Sequence, residues 1–335
     1  MSHVQGIHHV TAIASDPQRN LDFYAGVLGL RLVKRTVNFD DPQTYHFYYG
    51  DEVGTPGSIM TFFPWPGARR GRQGPKQLGV TSLAVLPSAL GFWVERLLRY
   101  GVAYEPLARR NFGGQTESFL MFRDPDGLLL EIVGHPGAEG RPAWADAPGI
   151  AQDNAIRGFH AVTLWVEDAQ PTERVLVETL GFRALAEAEG VRRYEVGGGG
   201  VSTFVDVRAV GGFVPGLSGA GTVHHVAFRV ADDAAEFEVR DRLLAAGLHP
   251  TEQLDRSYFR SVYCREPGGV LYELATNQPG FTVDESVEEL GHALKLPPRY
   301  EAQRAQIEAG LPRIHLPTPV SVAGLLGAVE DPDDV

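Results

Sequence analysis

Apolar and polar positions along this chain set out short strands between glycine- and proline-rich turns. Gly6-Ile7-His8-His9-Val10-Thr11, Thr222-Val223-His224-His225-Val226-Ala227 and Gly269-Val270-Leu271-Tyr272-Glu273-Leu274 alternate or run apolar over six residues, which predicts β-strands. Other stretches are amphipathic and stop at glycine. Arg96-Leu97-Leu98-Arg99-Tyr100-Gly101-Val102 and Arg242-Leu243-Leu244-Ala245-Ala246-Gly247-Leu248 read as helix ends capped by glycine.

These segments repeat. Arg123-Asp124-Pro125-Asp126-Gly127-Leu128-Leu129-Leu130-Glu131 matches Arg265-Glu266-Pro267-Gly268-Gly269-Val270-Leu271-Tyr272-Glu273 without a gap, and each reads as strand, turn, strand. Ile7–Thr11 corresponds to Phe159–Thr163, and Leu28-Gly29-Leu30-Arg31 to Leu180-Gly181-Phe182-Arg183. The chain therefore divides into four modules, each ordered β-α-β-β-β, an α+β fold. We expect an N-terminal domain over 1–134, a linker at 135–155, a C-terminal domain over 156–276 and a tail over 277–335. Helices are predicted near Ser286–Lys295 and Pro298–Gly310 of that tail.

Composition narrows the possibilities. A length of 335 residues suits two domains, and 30 basic against 42 acidic residues give a net charge of −12. No basic cluster suits nucleic acid. The single cysteine, Cys264, excludes a disulfide framework and a cysteine-based zinc site. Without an 18-residue apolar run or a signal-peptide core, the expectation is a cytoplasmic protein that does not span a membrane.

The candidate chemistry lies in the doubled histidines and Glu273. Neighbours on a strand face opposite sides, so one histidine of each pair aims at a given interior point. Two imidazoles and a carboxylate converging from three strands form the donor set of non-haem Fe(II) oxygenases. The plainer alternatives are a hydrogen-bonded core histidine in each pair and a Glu273 salt-bridged to Arg256, Arg260 or Arg265.

Four such modules, with histidine on a first strand and glutamate on a fourth, resemble the vicinal oxygen chelate superfamily of glyoxalase I, bleomycin-resistance proteins and extradiol dioxygenases. The likeness covers about residues 5–276. The Gly6–Thr11 opening, Asp255-Arg256-Ser257-Tyr258-Phe259-Arg260-Ser261-Val262-Tyr263 and the Arg265–Glu273 hairpin are most similar to the hydroquinone-cleaving branch. The resemblance implies two domains with curled mixed sheets and ligands from first and fourth strands. Module one offers His9 or His8; module four offers His224, His225 and Glu273. Aligned on the following threonine, His160 matches His8, and Ala161 takes the His9 place. The terminal modules are paired in that branch, which gives His9, His225 and Glu273 as ligands and leaves His160 structural. The resemblance also places His8, His224, Tyr263 and Arg256 beside the substrate, although strand alternation then requires a bulge at the two histidines.

The resemblance implies an Fe(II) dioxygenase, with Mn(II) as the other metal its donors accept, opening a hydroquinone-like ring with dioxygen. A homo-oligomer is the family expectation. Two rivals remain: a glyoxalase-type lyase or isomerase drawing on Glu131, and a binding or resistance protein with no catalysis.

Overall fold

The computed structural model describes residues 3–316. Sixteen strands follow one another as β1 (Val4–Ala14), β2 (Arg31–Asn38), β3 (Asp41–Gly50), β4 (Ile59–Pro64), β5 (Gln77–Val85), β6 (Ala108–Phe112), β7 (Gln115–Arg123), β8 (Leu129–Gly134), β9 (Phe159–Val166), β10 (Arg183–Ala188), β11 (Val191–Glu195), β12 (Phe204–Ala209), β13 (Thr222–Val230), β14 (Leu254–Asp255), β15 (Arg260–Arg265) and β16 (Leu271–Thr276). Helical segments lie between the first and second strands of each set of four, at 17–27, 90–99, 169–179 and 233–245. This is the β-α-β-β-β repeat, four times over.

The sheets cut across chain order. One runs β14-β15-β16-β13-β1-β4-β3-β2, joining module four to module one; the other runs β10-β11-β12-β9-β5-β8-β7-β6, joining three to two. The expected boundaries 1–134 and 156–276 therefore mark chain segments, and each sheet draws on both. In each sheet the two first strands meet antiparallel at the centre, β1 with β13 and β5 with β9. That junction brings the two doubled histidines side by side.

The tail packs on the hairpin of β2 and β3. Its Pro298–Gly310 stretch is helical as expected, first as a tight turn and then as Arg304–Gly310. The helix expected near Ser286–Lys295 is absent: this stretch is a series of turns. Its carbonyls are taken from outside, those of Val287 and Glu288 by Arg31 and that of His292 by Arg35. Gly291, at φ +81°, lies so close to the Leu32 carbonyl that a Cβ there would collide. Tail residues past 316 lie outside the described residues. Among the described residues no helix is long and apolar enough to cross a membrane.

One buried acid marks a weakness beside the centre. Glu236, in the first turn of the helix Asp233–Ala245, is fully buried and accepts a hydrogen bond only at Oε2, from Gln253 at 2.6 Å. Burial pushes its carboxyl up to about 7. Raising the pH from the ordinary glutamate range through 7 ionises a group the fold keeps dry, so stability falls across that window. Glu236→Gln is expected to gain about 2 kcal/mol at pH 8 and nothing at pH 4.5. Urea unfolding at the two pH values measures this.

Candidate metal centre

His9, Ala227 and Glu273 form one row across the sheet: His9 is opposite Ala227, and Ala227 is beside Glu273. Cross-strand neighbours share a face, and the small Ala227 leaves room for the flanking side chains to meet above it. His225 lies two residues along β13 on the same face and opposite Thr11. The result is a buried triangle of donors. His9 Nε2 lies 3.2 Å from His225 Nε2 and 3.2 Å from Glu273 Oε2, and His225 Nε2 is 2.8 Å from that oxygen.

The doubled histidines break strand alternation by bulging. On β1 the register steps from Ile7 to His9, and on β13 from His225 to Val223, so His8 and His224 have no opposite partner. A bulge turns neighbouring side chains towards one side. His8 Nδ1 thus lies 2.9 Å from His9 Nδ1, and His224 Nδ1 lies 2.7 Å from His225 Nδ1. With the proton of each pair on the inner ring, His9 and His225 donate through Nδ1 and keep the Nε2 lone pairs free. Ligating histidines are oriented by such bonds.

These donors fit a cation. Glu273 has no exposed surface; its Oε1 accepts from Ser261, while Oε2 has no hydrogen-bond donor. Burial pushes the Glu273 carboxyl up, but His9 and His225 outweigh it and hold it well below the usual range. Burial keeps His225 neutral. A dry carboxylate oxygen with no hydrogen-bond donor, facing two imidazole nitrogens, suits a cation between them. Adjacent corners of an octahedron with bonds of about 2.1 Å are about 3 Å apart, which matches this triangle. The salt-bridge alternative for Glu273 does not arise, since none of the three nearby arginines pairs with it.

A cavity of about 350 Å³ opens over the triangle, with Phe39, Phe63, Trp65 and Phe259 among its walls. His224, Tyr263 and Arg256 line it. Tyr263 is directly opposite Glu273 on the neighbouring strand and so faces the same way; five residues, Glu266–Val270, connect the two strands. Burial and the Glu273 charge raise the Tyr263 phenol well above its ordinary range. The Arg256 guanidinium lies 5.2 Å from the Tyr263 ring centre and 3.4 Å from Asp40 at the mouth. His8, by contrast, is buried between His9 and Phe259 and does not line the cavity.

Sequence reasoning passed over His46, Thr11 and the aromatic walls. His46 and Tyr48 alternate on β3, a signal available in Thr44-Tyr45-His46-Phe47-Tyr48. Their place at the cavity depends on how β1, β3 and β4 are registered.

The second sheet holds a changed copy of this row. Ala161, Ser82 and Glu131 stand where His9, Ala227 and Glu273 stand, and Val80 takes the place of His225. Glu131 is bound by Ser82 at 2.7 Å and by Arg110 at 3.0 Å. His160 is buried there, 2.8 Å from Glu117, and with His135 these residues make another group of donors. Arg193 and Arg110 take the two oxygens of Glu117, at 2.5 and 3.0 Å, and Arg193 grips Asp206 as well. Guanidinium groups thus supply the positive charge in that half.

A sequence profile described as the glyoxalase/bleomycin resistance protein/dioxygenase superfamily matches residues 6–132 and 158–274. The chain is 45% identical over 306 residues to MhqO of Bacillus subtilis (strain 168), a protein carried under the name of a ring-cleaving dioxygenase; the match covers 91% of this chain and 95% of that one. It is 33% identical over 316 residues to the chlorohydroquinone/hydroquinone 1,2-dioxygenase of Sphingobium indicum, covering 91% and 95%. A crystal structure of a Bacillus subtilis protein described as a dioxygenase superposes with a TM-score of 0.88 at 42% identity, covering 95% of this chain and 99% of that one.

Proposed function

The chain belongs to the glyoxalase/bleomycin resistance protein/dioxygenase superfamily, and from that membership and its centre we propose a metal-dependent dioxygenase that cleaves the ring of hydroquinone-like aromatic diols. One observation carries the reading: a dry two-histidine, one-carboxylate triangle, with an unpartnered carboxylate oxygen, floors an aromatic-walled cavity. His9, His225 and Glu273 would hold the metal. Two imidazoles and one carboxylate with positions left open are the Fe(II) oxygenase set, and Mn(II) accepts the same donors. A divalent iron there supplies a Lewis acid for a substrate oxygen and an electron relay to dioxygen.

The chain's own groups do the rest. The aromatic walls take the substrate ring and keep water out. Arg256 balances the negative charge of a deprotonated diol oxygen at the cavity. Tyr263, whose proton burial holds on, donates to that oxygen and carries the general acid–base step, with His224 on the same wall. His8 acts through His9, by fixing its ring.

Dioxygen uptake on adding 1,4-dihydroxybenzene to iron-loaded protein tests this, with mass spectrometry of the ring-opened product under labelled dioxygen. A glyoxalase-type isomerase consumes no dioxygen. Glu131, the carboxylate it would draw on, is bound to Arg110 and Ser82 in the other sheet. A binding protein would leave the diol unchanged.

A further inference from the structure

We propose that a second cavity, sharing His224, His225 and Leu271 with the substrate cavity and rimmed by Lys76 and Arg265, is an anion site that receives the ring-opened product by its new carboxylate. This deepens the dioxygenase reading and rests on it for the identity of the anion.

The second cavity holds about 330 Å³. It abuts the first along the three shared residues, of which His225 is buried and His224 exposed. Its rim is basic, in a chain whose net charge is −12. Lys76 lays its stem on Gly269, where an added Cβ would meet Lys76 Cβ and Cγ at 2.8 Å. From the same residue Arg265 Nη1 takes the carbonyl, at 2.7 Å. Two cations thus flank one point of the wall, and the Arg265 charge acts on the His224 ring.

Little offsets them. Among the described residues no carboxylate lines this cavity. Glu167 lies 3.5 Å from Lys76, but both are more than half exposed, and such a pair is weak in water. Glu266, next to Arg265, is buried and taken by Thr172, Gly268 and Val270. Gln77 adds a buried amide oxygen with no hydrogen-bond partner, an acceptor for a hydroxyl. Paired cations over a polar recess concentrate small anions.

The proposed reaction makes such an anion. Opening 1,4-dihydroxybenzene beside a hydroxyl breaks one carbon–carbon bond. The ring gives four electrons to dioxygen, and both oxygen atoms enter the product. The hydroxyl-bearing carbon becomes a carboxylic acid, which loses its proton to water, and its neighbour becomes an aldehyde. No further reductant is consumed. The other hydroxyl is retained, and it suits Gln77. A neutral diol enters, and an anion has to leave; the basic rim beside His225 favours the second over the first.

The probe is trans,trans-hexa-2,4-dienedioate, a six-carbon unsaturated dicarboxylate, with its neutral diamide as control. Calorimetry on iron-loaded protein without dioxygen measures its binding, alone and with 1,4-dihydroxybenzene at saturation. The dienedioate is expected to bind in both cases, and about 10-fold more tightly than the diamide. Lys76→Gln with Arg265→Gln is expected to weaken it about 10-fold, the scale of a charged hydrogen bond, while diol binding is unchanged. Lys76→Arg with Arg265→Lys, which keeps both charges, is expected to bind as the native protein does. Dienedioate displaced by the diol lies in the substrate cavity, and that result overturns the proposal, as does a double glutamine variant with native affinity. A diol carrying its own carboxylate, 2,5-dihydroxybenzoate, tests the other source of the anion: a 10-fold loss of its binding in the glutamine variant makes the cavity a substrate pocket and overturns the assignment to product. Dioxygen uptake reports separately. Uptake without dienedioate binding sinks only the anion site, and binding without uptake sinks only the dioxygenase reading.

Discussion

Replacing any one of His9, His225 and Glu273, by alanine or by glutamine at Glu273, is expected to leave the purified protein with little bound metal and to lower dioxygen uptake by roughly 10³-fold or more. Loss of an outer hydrogen-bond partner of a ligand costs about 10- to 100-fold in affinity or activity, and loss of a ligand costs more. The expected series is therefore graded. His8→Ala and His224→Ala remove the acceptors at 2.9 and 2.7 Å that orient the two ligating rings, and belong in the 10- to 100-fold class. Glu131→Gln and His160→Ala, in the copy occupied by guanidinium groups, are expected to leave metal content unchanged. Metal analysis beside oxygen-electrode rates checks all of these. A His9→Ala protein that keeps one metal per chain and its rate would remove the proposed centre.

Much of this site can be read from the sequence because strand periodicity and an internal repeat give independent constraints. The gapless match of Arg123–Glu131 to Arg265–Glu273 places Glu273 at the same point of its module as Glu131, and the Thr11 and Thr163 alignment sets Ala161 against His9. What stays hidden depends on a partner strand. A bulge is two residues against one, so His8 and His224 become neighbours of the ligand rings only through the pairing of β1 with β13. His46 needs the register of three strands before Thr61 and Thr11 come within reach. The missing helix at Ser286–Lys295 has the same origin: arginines about 250 residues away capture its carbonyls, and tertiary contacts override a local pattern. Local order is legible, and long-range pairing has to be seen.

Lys34→Met is expected to destabilise the protein by about 3–5 kcal/mol, the cost of removing one partner from a buried ionic group. Lys34 on β2 is fully buried; its ammonium is held by Asp284 at 2.6 Å and by Glu285, both from the tail. Without it, the buried Glu285 carboxylate loses its cation and the tail loses its anchor on the hairpin. Changing the set together, Lys34→Met with Asp284→Asn and Glu285→Gln, leaves no unpaired charge and is expected to recover most of the loss, a non-additivity that urea unfolding can measure. The consequence reaches the metal. Tyr258 bonds Asp284 at 3.2 Å and packs beside Lys34, and its neighbour Phe259 packs on both His8 and His9 at 5.0 Å. The single variant is therefore also expected to bind metal about 10-fold more weakly, as loss of a support behind a ligand does. A Lys34→Met protein with native stability would show that the tail lies on the hairpin without holding it.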